Sequence, residues 1–359
     1  MNRHTATPLH PEDEAYQKEI LQDVSRTFAL TIPQLPDDLN RVISNAYLLC
    51  RIADTIEDDN ALSDEQTRKF SNQFIDVVAD KYSPDIFAEE LYPLLSDHTI
   101  EAEHNLIKNI PAVIRITHSL NETQRHAMER CVRIMARGMA DYQDTESLAG
   151  VADIKAMDEY CYYVAGVVGE MLTELFCDYS GEIKIHRDEL MKLAVSFGQG
   201  LQMTNILKDI WDDRQRGACW LPRDIFQNQG FDLLRLKPGS TDPGFHAGLG
   251  ILIAKAKNHL RDALSYTLMI PKHETGIRRF CLWALGMAIL TLNNLNKHRD
   301  FSSAGEVKIS RRSVRAVVVL SSIFVWNNSI LRFFFNWFTR NLPVTGIHEK
   351  LHDISCTRT

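Results

Sequence analysis

Two segments of the sequence place acidic side chains at helical spacing among apolar residues. In the first, Tyr47, Arg51, Asp54 and Asp58 recur every three or four residues, so an α-helix would bring them within roughly 60° of one another. The second segment has a similar helical spacing of polar residues, at Gln202, Asn205, Asp209 and Asp213. The sequence thus predicts two helices, each with an acidic stripe, which are called the first stripe and the second stripe below.

Stripes of this kind require a cation. Two carboxylates four residues apart in an apolar helix would bury uncompensated charge, which is unfavourable by several kcal/mol. Carboxylate oxygens suit Mg²⁺, which usually binds through one or two carboxylates together with substrate phosphates. We therefore expect several Mg²⁺ ions that hold a diphosphate. The expected ligands are Asp54, Asp58, Asp209 and Asp213, with Glu57 and Asp212 as second-tier ligands.

An acidic run can also be a solvated helix end, and the first stripe taken alone fits that interpretation. The second stripe, however, lies among Leu201, Ile206 and Ile210. A second acidic face inside an apolar segment is hard to explain as surface. The two stripes together favour a metal-dependent site.

The rest of the chain must supply the helices that position these stripes. It has 359 residues, of which 45% are apolar, with Gly at 17 and Pro at 12, and segments of 3.6-residue period dominate. We expect an all-α, single-domain protein with a flexible N-terminus at 1–11, one domain at 12–343 and a C-terminal tail at 344–359. The net charge of −7 argues against a nucleic-acid partner.

The cysteines and the termini bear on location. Seven cysteines are scattered without a Cys-x-x-Cys pair, which indicates reduced thiols, and residues 1–11 lack the apolar region of a secretory signal. The best candidate for a membrane span runs from Ala316 to Leu331, but its 16 residues fall short of the roughly 20 that a span needs. We expect it to be a core helix, in a monomeric cytoplasmic protein with at most peripheral membrane contact.

Four blocks, in this order, resemble the squalene and phytoene synthase family. They are Ser25-Arg26-Thr27-Phe28, the first stripe extended to Asp59, the segment Tyr160 to Gly169, and the second stripe. Segments at 280–292 and 307–309 are similar to the squalene branch. The resemblance implies the class I isoprenoid synthase helical fold with a central cavity. It also implies Mg²⁺-dependent head-to-head joining of two farnesyl diphosphates to presqualene diphosphate, followed by reduction with NADPH to squalene.

The resemblance assigns roles that composition leaves open. Tyr47 and Tyr160 become candidates for the proton chemistry that forms the cyclopropane. The groups implied near the diphosphate are Ser25, Arg26, Phe28, Arg51, Gln202, Asn205 and Lys208. The apolar walls implied around the prenyl chains are Val164, Ala165, Val168, Gly169, Leu172, Phe280 and Cys281, all of which would also suit an ordinary helical core. The residues implied to meet an NADPH phosphate are Lys308 and Arg311.

Two positions depart from the family pattern, and three other functions stay open. Ala218 stands where the family commonly has arginine, so Arg214 or Arg216 is the expected substitute, and Ser310 replaces a basic residue of the reductant site. A dehydrosqualene or phytoene synthase would share the first half-reaction without NADPH. A class I terpene cyclase would normally mix Asn/Asp, Ser/Thr and Glu in its second metal motif. A non-enzymatic assembly factor would have lost its acids.

Overall fold

A computed structural model describes residues 10–25, 27–143 and 147–344. Over these ranges the chain is built from helices, with an isolated β-bridge between Val151 and Pro222 and no strand. This confirms the all-α prediction. In chain order the helices are α1 (Pro11–Val24), α2 (Phe28–Thr31), α3 (Asp37–Asp58), α4 (Asp64–Val78), α5 (Pro84–Leu91), α6 (Glu101–Lys108), α7 (Ile110–Ser119), α8 (Glu122–Gln143), α9 (Ile154–Cys161), α10 (Val167–Tyr179), α11 (Gly181–Lys184), α12 (Arg187–Lys208), α13 (Ile210–Gln215), α14 (Arg223–Gln227), α15 (Pro243–Met269), α16 (Thr275–Lys297), α17 (Ala304–Val307), α18 (Arg311–Ile323) and α19 (Asn328–Thr339).

The chain divides into two compact units. Unit 1 consists of Met1–Thr145 and Val167–Arg187, and unit 2 consists of Glu146–Gly166 and Asp188–Thr359. Unit 1 therefore holds α1 to α8, α10 and α11, while unit 2 holds α9, most of α12, and α13 to α19. The first stripe lies in unit 1 and the second stripe in unit 2.

Unit 1 packs α8 against α3, α4 and α10. The apolar positions of α3 explain its place in the core, since Leu48, Leu49 and Ile52 are fully buried. The start of α4 is fixed by the capping box that the sequence predicts: the Gln66 backbone N–H donates to Ser63 Oγ, and the Ser63 backbone N–H donates to Gln66 Oε1.

Asp59 fixes the point where α3 ends. Its side chain is buried and accepts hydrogen bonds from the backbone N–H of Ala61 at 2.8 Å, the backbone N–H of Ser96 at 2.9 Å and the Thr99 hydroxyl at 2.6 Å. Burial alone would raise the pKa of Asp59, but these donors hold the pKa below its ordinary value. Asp59 is therefore a structural carboxylate next to the first stripe.

Unit 2 is centred on α15 and α16, with α14 and α19 packed on α15 and both α18 and α19 packed on α16. Phe226, Phe231 and Phe245 form one aromatic cluster between α14 and α15. Among the described residues, α16 is the one helix long and apolar enough to cross a membrane, and 67% of its most apolar window is buried inside the protein, as in a core helix.

Arg278 ties three parts of unit 2 together from a fully buried position on α16. Its guanidinium donates to the carbonyl oxygen of Ile270 at 2.7 Å, the carbonyl oxygen of Val325 at 2.8 Å and Asn328 Oδ1 at 2.6 Å. These acceptors lie at the end of α15, in the turn after α18 and at the start of α19. The buried charge is thus matched by three oxygen acceptors, one from each of these parts.

The prediction of a single core helix from Ala316 to Leu331 is wrong. The chain breaks between α18 and α19 because Asn327 caps α19, accepting hydrogen bonds from the backbone N–H groups of Ser329 and Ile330 at 3.1 Å. The cap competes with continuation of the helix. Nor is the segment wholly in the core, since Val319 and Ile323 are more than half exposed.

Candidate active site

The first stripe forms on α3 as the spacing predicts. Tyr47, Arg51 and Asp54 are partly buried, while Asp58, at the last turn of the helix, is exposed. The opposite face of α3 packs into unit 1, so the stripe is the side of the helix that retains solvent access. Glu57 is also partly exposed beside it.

Arg51 is the cation at the centre of the first stripe. Its guanidinium lies 2.6 Å from Glu103 on α6 and 3.9 Å from Asp54. The Nε–H of Arg51 is buried and has no hydrogen-bond acceptor among the described residues. An unsatisfied guanidinium donor is unfavourable by about 1 to 3 kcal/mol, so Arg51 is suited to accept a further anion such as a phosphate. Glu103 is a site residue that the sequence reasoning missed.

Asp54 is the residue of the first stripe whose ionised form is disfavoured. Burial raises its pKa from 3.8 to about 7, against the opposing attraction of Arg51, and the neighbouring carboxylates of Asp58 and Glu103 raise it further. A carboxylate that ionises this reluctantly needs more positive charge than Arg51 supplies. Mg²⁺ would supply this missing positive charge, because it binds carboxylate oxygens together with the oxygens of a diphosphate.

Tyr47 joins the first stripe to the start of α2. Its ring lies 5.0 Å from that of Phe28, and its hydroxyl donates to the carbonyl oxygen of Val24 at 3.2 Å. Ser25 Oγ accepts from the backbone N–H of Phe28 at 3.0 Å. The structure therefore brings the predicted residues Ser25, Phe28 and Tyr47 together, and burial raises the pKa of the Tyr47 phenol, which stays protonated near neutral pH. The predicted Arg26 lies outside the described residues.

The second stripe crosses a bend in the chain. Asp209 separates α12 from α13, yet the helical hydrogen bonds continue through it, from the backbone N–H of Asp209 to the Asn205 carbonyl and from that of Asp213 to the Asp209 carbonyl. The predicted face is therefore kept. Gln202 and Asp209 are partly exposed, Asn205 is exposed and Asp213 is buried.

Each carboxylate of the second stripe has a basic neighbour. Lys208 Nζ lies 3.1 Å from Asp209, and Arg216 lies 2.7 Å from Asp213. Burial raises the pKa of Asp209, with Lys208 opposing the effect. Of the two arginines expected to substitute at the Ala218 departure, Arg216 is therefore the one beside the acids. Asp212 is exposed on the next position of α13.

Arg214, the other candidate substitute, has backbone partners instead. Its guanidinium donates to the Leu148 carbonyl at 3.0 Å and to the Leu236 carbonyl at 3.4 Å. Ala218 itself is buried. In the part of the chain that the structure describes, no three His, Cys, Asp or Glu side chains cluster closely enough to hold a metal ion by themselves. Mg²⁺ usually keeps water and substrate phosphate oxygens among its ligands, so each stripe need supply only one or two carboxylates.

Tyr160 lies at the end of α9 in unit 2. It is buried and stacks on Trp220, with ring centroids 3.8 Å apart and an interplanar angle of 7°. Trp220 was not singled out from the sequence, which holds no signal linking it to Tyr160. A π-helical turn, Tyr162–Gly166, follows directly, and such turns often occur at functional sites.

Close packing explains two glycines around this turn. A Cβ at Gly198 on α12 would lie 2.1 Å from the Ala165 carbonyl oxygen, and one at Gly166 would lie 3.2 Å from Val195. Gly166 therefore serves helix contact and does not by itself open room for a ligand. The predicted wall residues Val164 and Ala165 are partly exposed in unit 2.

The other predicted wall residues divide between the units. Val168, Gly169 and Leu172 form a partly exposed stripe of α10 in unit 1. In unit 2, Phe280 and Cys281 are buried on α16, and burial raises the pKa of the Cys281 thiol to about 12. That thiol is therefore inert wall, not a nucleophile.

Lys308 and Arg311 flank the start of α18, and both are exposed. Ser310 between them caps α18, because its Oγ accepts from the backbone N–H of Ser313 at 3.0 Å. The departure from the family's basic residue thus has a local structural use. The two cations remain available to an anionic ligand.

Comparison with known proteins identifies the family. The squalene/phytoene synthase model matches residues 21–313. A squalene synthase of Cochliobolus lunatus is 31% identical over 274 residues, covering 75% of this chain and 62% of its own length, and that of Saccharomyces cerevisiae is 29% identical over 310 residues, covering 85% and 66%. The chain thus spans less than two thirds of the length of these two relatives.

Solved structures agree on the fold. The structure of TcSQS with the ligand BPH1237 has a TM-score of 0.75 at 22% identity and covers 94% of each chain, and a dehydrosqualene synthase structure has a TM-score of 0.60 at 20% identity, covering 88% of this chain and 96% of that one. At such identities these matches bear on the fold alone. With the family model matched over most of its length and both acidic stripes in place, the chain belongs to the squalene/phytoene synthase family.

Proposed function

We propose that the protein is a squalene synthase. It condenses two farnesyl diphosphates head to head to presqualene diphosphate, and then rearranges and reduces this intermediate to squalene with NADPH. The observation that carries the proposal is the first stripe, where Asp54 is short of positive charge and Arg51 has an unsatisfied donor. The names of the relatives support this branch of the family, since those from Cochliobolus lunatus and Saccharomyces cerevisiae are squalene synthases.

The first step is capture of the diphosphate groups. Bound Mg²⁺ would supply the positive charge that stabilises the departing pyrophosphate. The ligands we assign are Asp54 and Asp58 in the first stripe and Asp209 and Asp213 in the second, with Glu57 and Asp212 in support. Arg51 and Lys208 neutralise phosphate charge, Gln202 and Asn205 orient the group, and Arg26 is assigned by sequence alone.

Loss of pyrophosphate leaves a cation that must be kept from water. Val164 and Ala165 in unit 2, and Val168 and Leu172 in unit 1, are partly exposed apolar positions that we assign to the walls around the prenyl chains. We assign Phe280 and the inert Cys281 in unit 2 to the second half-reaction. Apolar walls with no nucleophile prolong the life of a carbocation.

Closure of the cyclopropane releases a proton. Tyr160 and Tyr47 are the groups we assign to this transfer: the phenol oxygen accepts the proton while its own O–H proton passes to the departing pyrophosphate, which is the stronger base. Tyr160 is held rigidly by its stack on Trp220, while Tyr47 sits beside Arg51 and keeps its phenol protonated because burial raises its pKa. Rigid placement of the hydroxyl favours Tyr160 as the principal group.

The second half-reaction needs a reductant. NADPH would supply the hydride, and Lys308 and Arg311 are suited to meet its phosphate because both are exposed at the N-terminal end of α18. The hydrocarbon product would leave through peripheral contact with a membrane, since it is insoluble in water.

Product analysis tests the proposal. The purified chain is incubated with labelled farnesyl diphosphate and Mg²⁺, with and without NADPH, and the lipids are identified. We expect presqualene diphosphate to accumulate without NADPH and squalene to form with it. An unchanged profile of dehydrosqualene or phytoene would instead assign the rival activity, and no prenyl product at all would refute catalysis.

A further inference from the structure

Unit 2 carries an exposed apolar surface on α18, α19 and the turn between them. This surface, the C-terminal apolar face, consists of Val319, Ile323, Trp326, Phe333, Trp337 and Phe338, whose side chains are 40% to 58% exposed. Single exposed apolar residues are common in folded proteins, but six within twenty residues of sequence, three of them on one short helix, mark an interaction site.

The charge around this face has one sign. Residues 307–344 contain six Lys or Arg and no Asp or Glu, in a chain whose net charge is −7. The guanidinium of Arg340 lies 3.7 Å from the ring centre of Trp337, so cation and aromatic surface are interleaved. The exposed arginines along α18 and α19 are Arg311, Arg312, Arg315, Arg332 and Arg340.

An apolar cavity of about 260 Å³ lies beneath the face. Leu320, Phe334 and Phe338 line it on one side and Ile289 of α16 on the other. Phe338 is also exposed, so apolar surface continues from the cavity to the face. On α16, Ile289 lies roughly 180° around the helix from Phe280, which separates the cavity from the proposed wall of the second half-reaction.

The partner that binds the C-terminal apolar face must offer an apolar layer next to an anionic layer. A bilayer with anionic lipids offers both, because aromatic residues favour the interface and arginines favour the phosphates. Helices α18 and α19 have 13 and 12 residues, too short to span the hydrocarbon core. We propose that the C-terminal apolar face binds the surface of a bilayer containing anionic lipid, with α18 and α19 lying in the interface.

This inference gives a place to the peripheral membrane contact in the proposed function, but its test needs no substrate. The full chain is mixed with vesicles of phosphatidylcholine alone or with about 30% phosphatidylglycerol, and binding is measured by flotation. We expect binding to the anionic vesicles that weakens strongly between about 0.1 M and 1 M salt, because screening removes the attraction. Failure of catalysis with normal vesicle binding would concern the proposed function alone.

Two variants locate the contact. Replacing Arg312, Arg315 and Arg332 together with Gln should lower vesicle affinity by roughly 100-fold, since each cation near an anionic surface contributes a factor of about five. The matched control removes the same charge from exposed positions of unit 2 outside the α18–α19 corner, with Lys155→Gln, Lys192→Gln and Lys237→Gln, and should change affinity by less than about twofold.

The second variant, Phe333→Gln with Trp337→Gln, removes apolar contact at exposed positions and should also abolish flotation. In the wild type, vesicles should shift tryptophan emission to the blue as exposed Trp326 and Trp337 leave water, while buried Trp211 and Trp283 stay constant. Unchanged far-ultraviolet circular dichroism confirms that the variants fold.

Three results would overturn the inference. They are absence of vesicle binding by the wild type, equal binding to phosphatidylcholine alone at all salt concentrations, or an equal loss in the lysine control. A lipid-free dimer that Phe333→Gln with Trp337→Gln dissolves, seen by sedimentation velocity, would also overturn it, because the face would then belong to a second copy of the chain.

Discussion

Asp54→Asn should abolish the proposed squalene synthase activity and stabilise the ligand-free protein. The pKa of Asp54 rises from 3.8 to about 7, so at pH 8 the folded state holds a charge that is less favourable there than in the unfolded chain. At about 1.4 kcal/mol per pH unit, the difference corresponds to roughly 4 kcal/mol. The side chain is 28% exposed and Arg51 loses an ion-pair partner, so we expect a net gain of about 1 to 2 kcal/mol.

The matched control is Asp59→Asn. Asp59 accepts three hydrogen bonds, and the amide turns a donor toward donors, so this variant should lose about 2 kcal/mol of stability and keep its activity. Stability is read from urea unfolding at pH 8 with EDTA, and turnover from release of pyrophosphate with saturating Mg²⁺. Added Mg²⁺ and pyrophosphate should stabilise the wild type but not Asp54→Asn.

The reasoning about the first stripe fails if Asp54→Asn keeps near-normal turnover. It also fails if Asp54→Asn loses stability as Asp59→Asn does, because Asp54 would then be a structural carboxylate. A metal ligand is expected to trade stability for function, and a structural group is not.

Four further outcomes are expected. Asp213→Asn should lower turnover by more than the roughly 100-fold typical of outer-shell metal partners, and normal turnover at saturating Mg²⁺ would exclude it as a ligand. Tyr160→Phe should slow formation of presqualene diphosphate by roughly 10²- to 10⁴-fold with little change in substrate affinity, whereas a change in affinity alone would pass the proton role to Tyr47. Lys308→Ala should weaken the response to NADPH and spare the first half-reaction, as separate measurements of the two products would show. Burial lowers the pKa of His259 from 6.5 to about 3, so the unfolded chain takes up a proton first as the pH falls, and stability is lost below pH 6.5. By pH 5 the free energy of unfolding, measured with urea, should be lower by about 2 kcal/mol. A similar loss in His259→Gln would contradict this assignment.

His259, whose pKa is lowered, belongs to a small buried polar cluster. Its Nδ1 lies 2.7 Å from Ser196 Oγ, whose hydroxyl donates to Asp262 at 2.8 Å, and the positive charge of Lys255 opposes protonation of His259. None of these residues drew attention from the sequence. They lie on two helices with more than fifty residues between Ser196 and the rest, and no periodic pattern relates them.

In the first stripe, the sequence predicts which residues share a helix face but not which residue of another helix contacts them. Tyr47, Arg51, Asp54 and Asp58 share a face because a helix repeats every 3.6 residues, and this local rule needs no knowledge of the fold. Glu103 meets Arg51 only because α6 folds onto α3, a contact that sequence spacing cannot express.

Local competition explains the errors near the C-terminus. Apolar spacing continues from Val317 to Phe338, which favours one long helix, but Asn327 offers its side chain to the next turn and ends that continuity. The sequence also did not predict that Phe333 and Trp337 are exposed. An apolar stripe shows which helix face could be buried, but not whether another element covers it.

The buried guanidinium of Arg278 also bears on the entropy of association. By holding the carbonyl of Val325 and the side chain of Asn328, it fixes the corner between α18 and α19 before any contact is made. A surface ordered in advance loses little conformational freedom when it docks, so more of the interaction energy remains as affinity. Amide hydrogen exchange should accordingly be slow at this corner, despite the exposure of Trp326 within it.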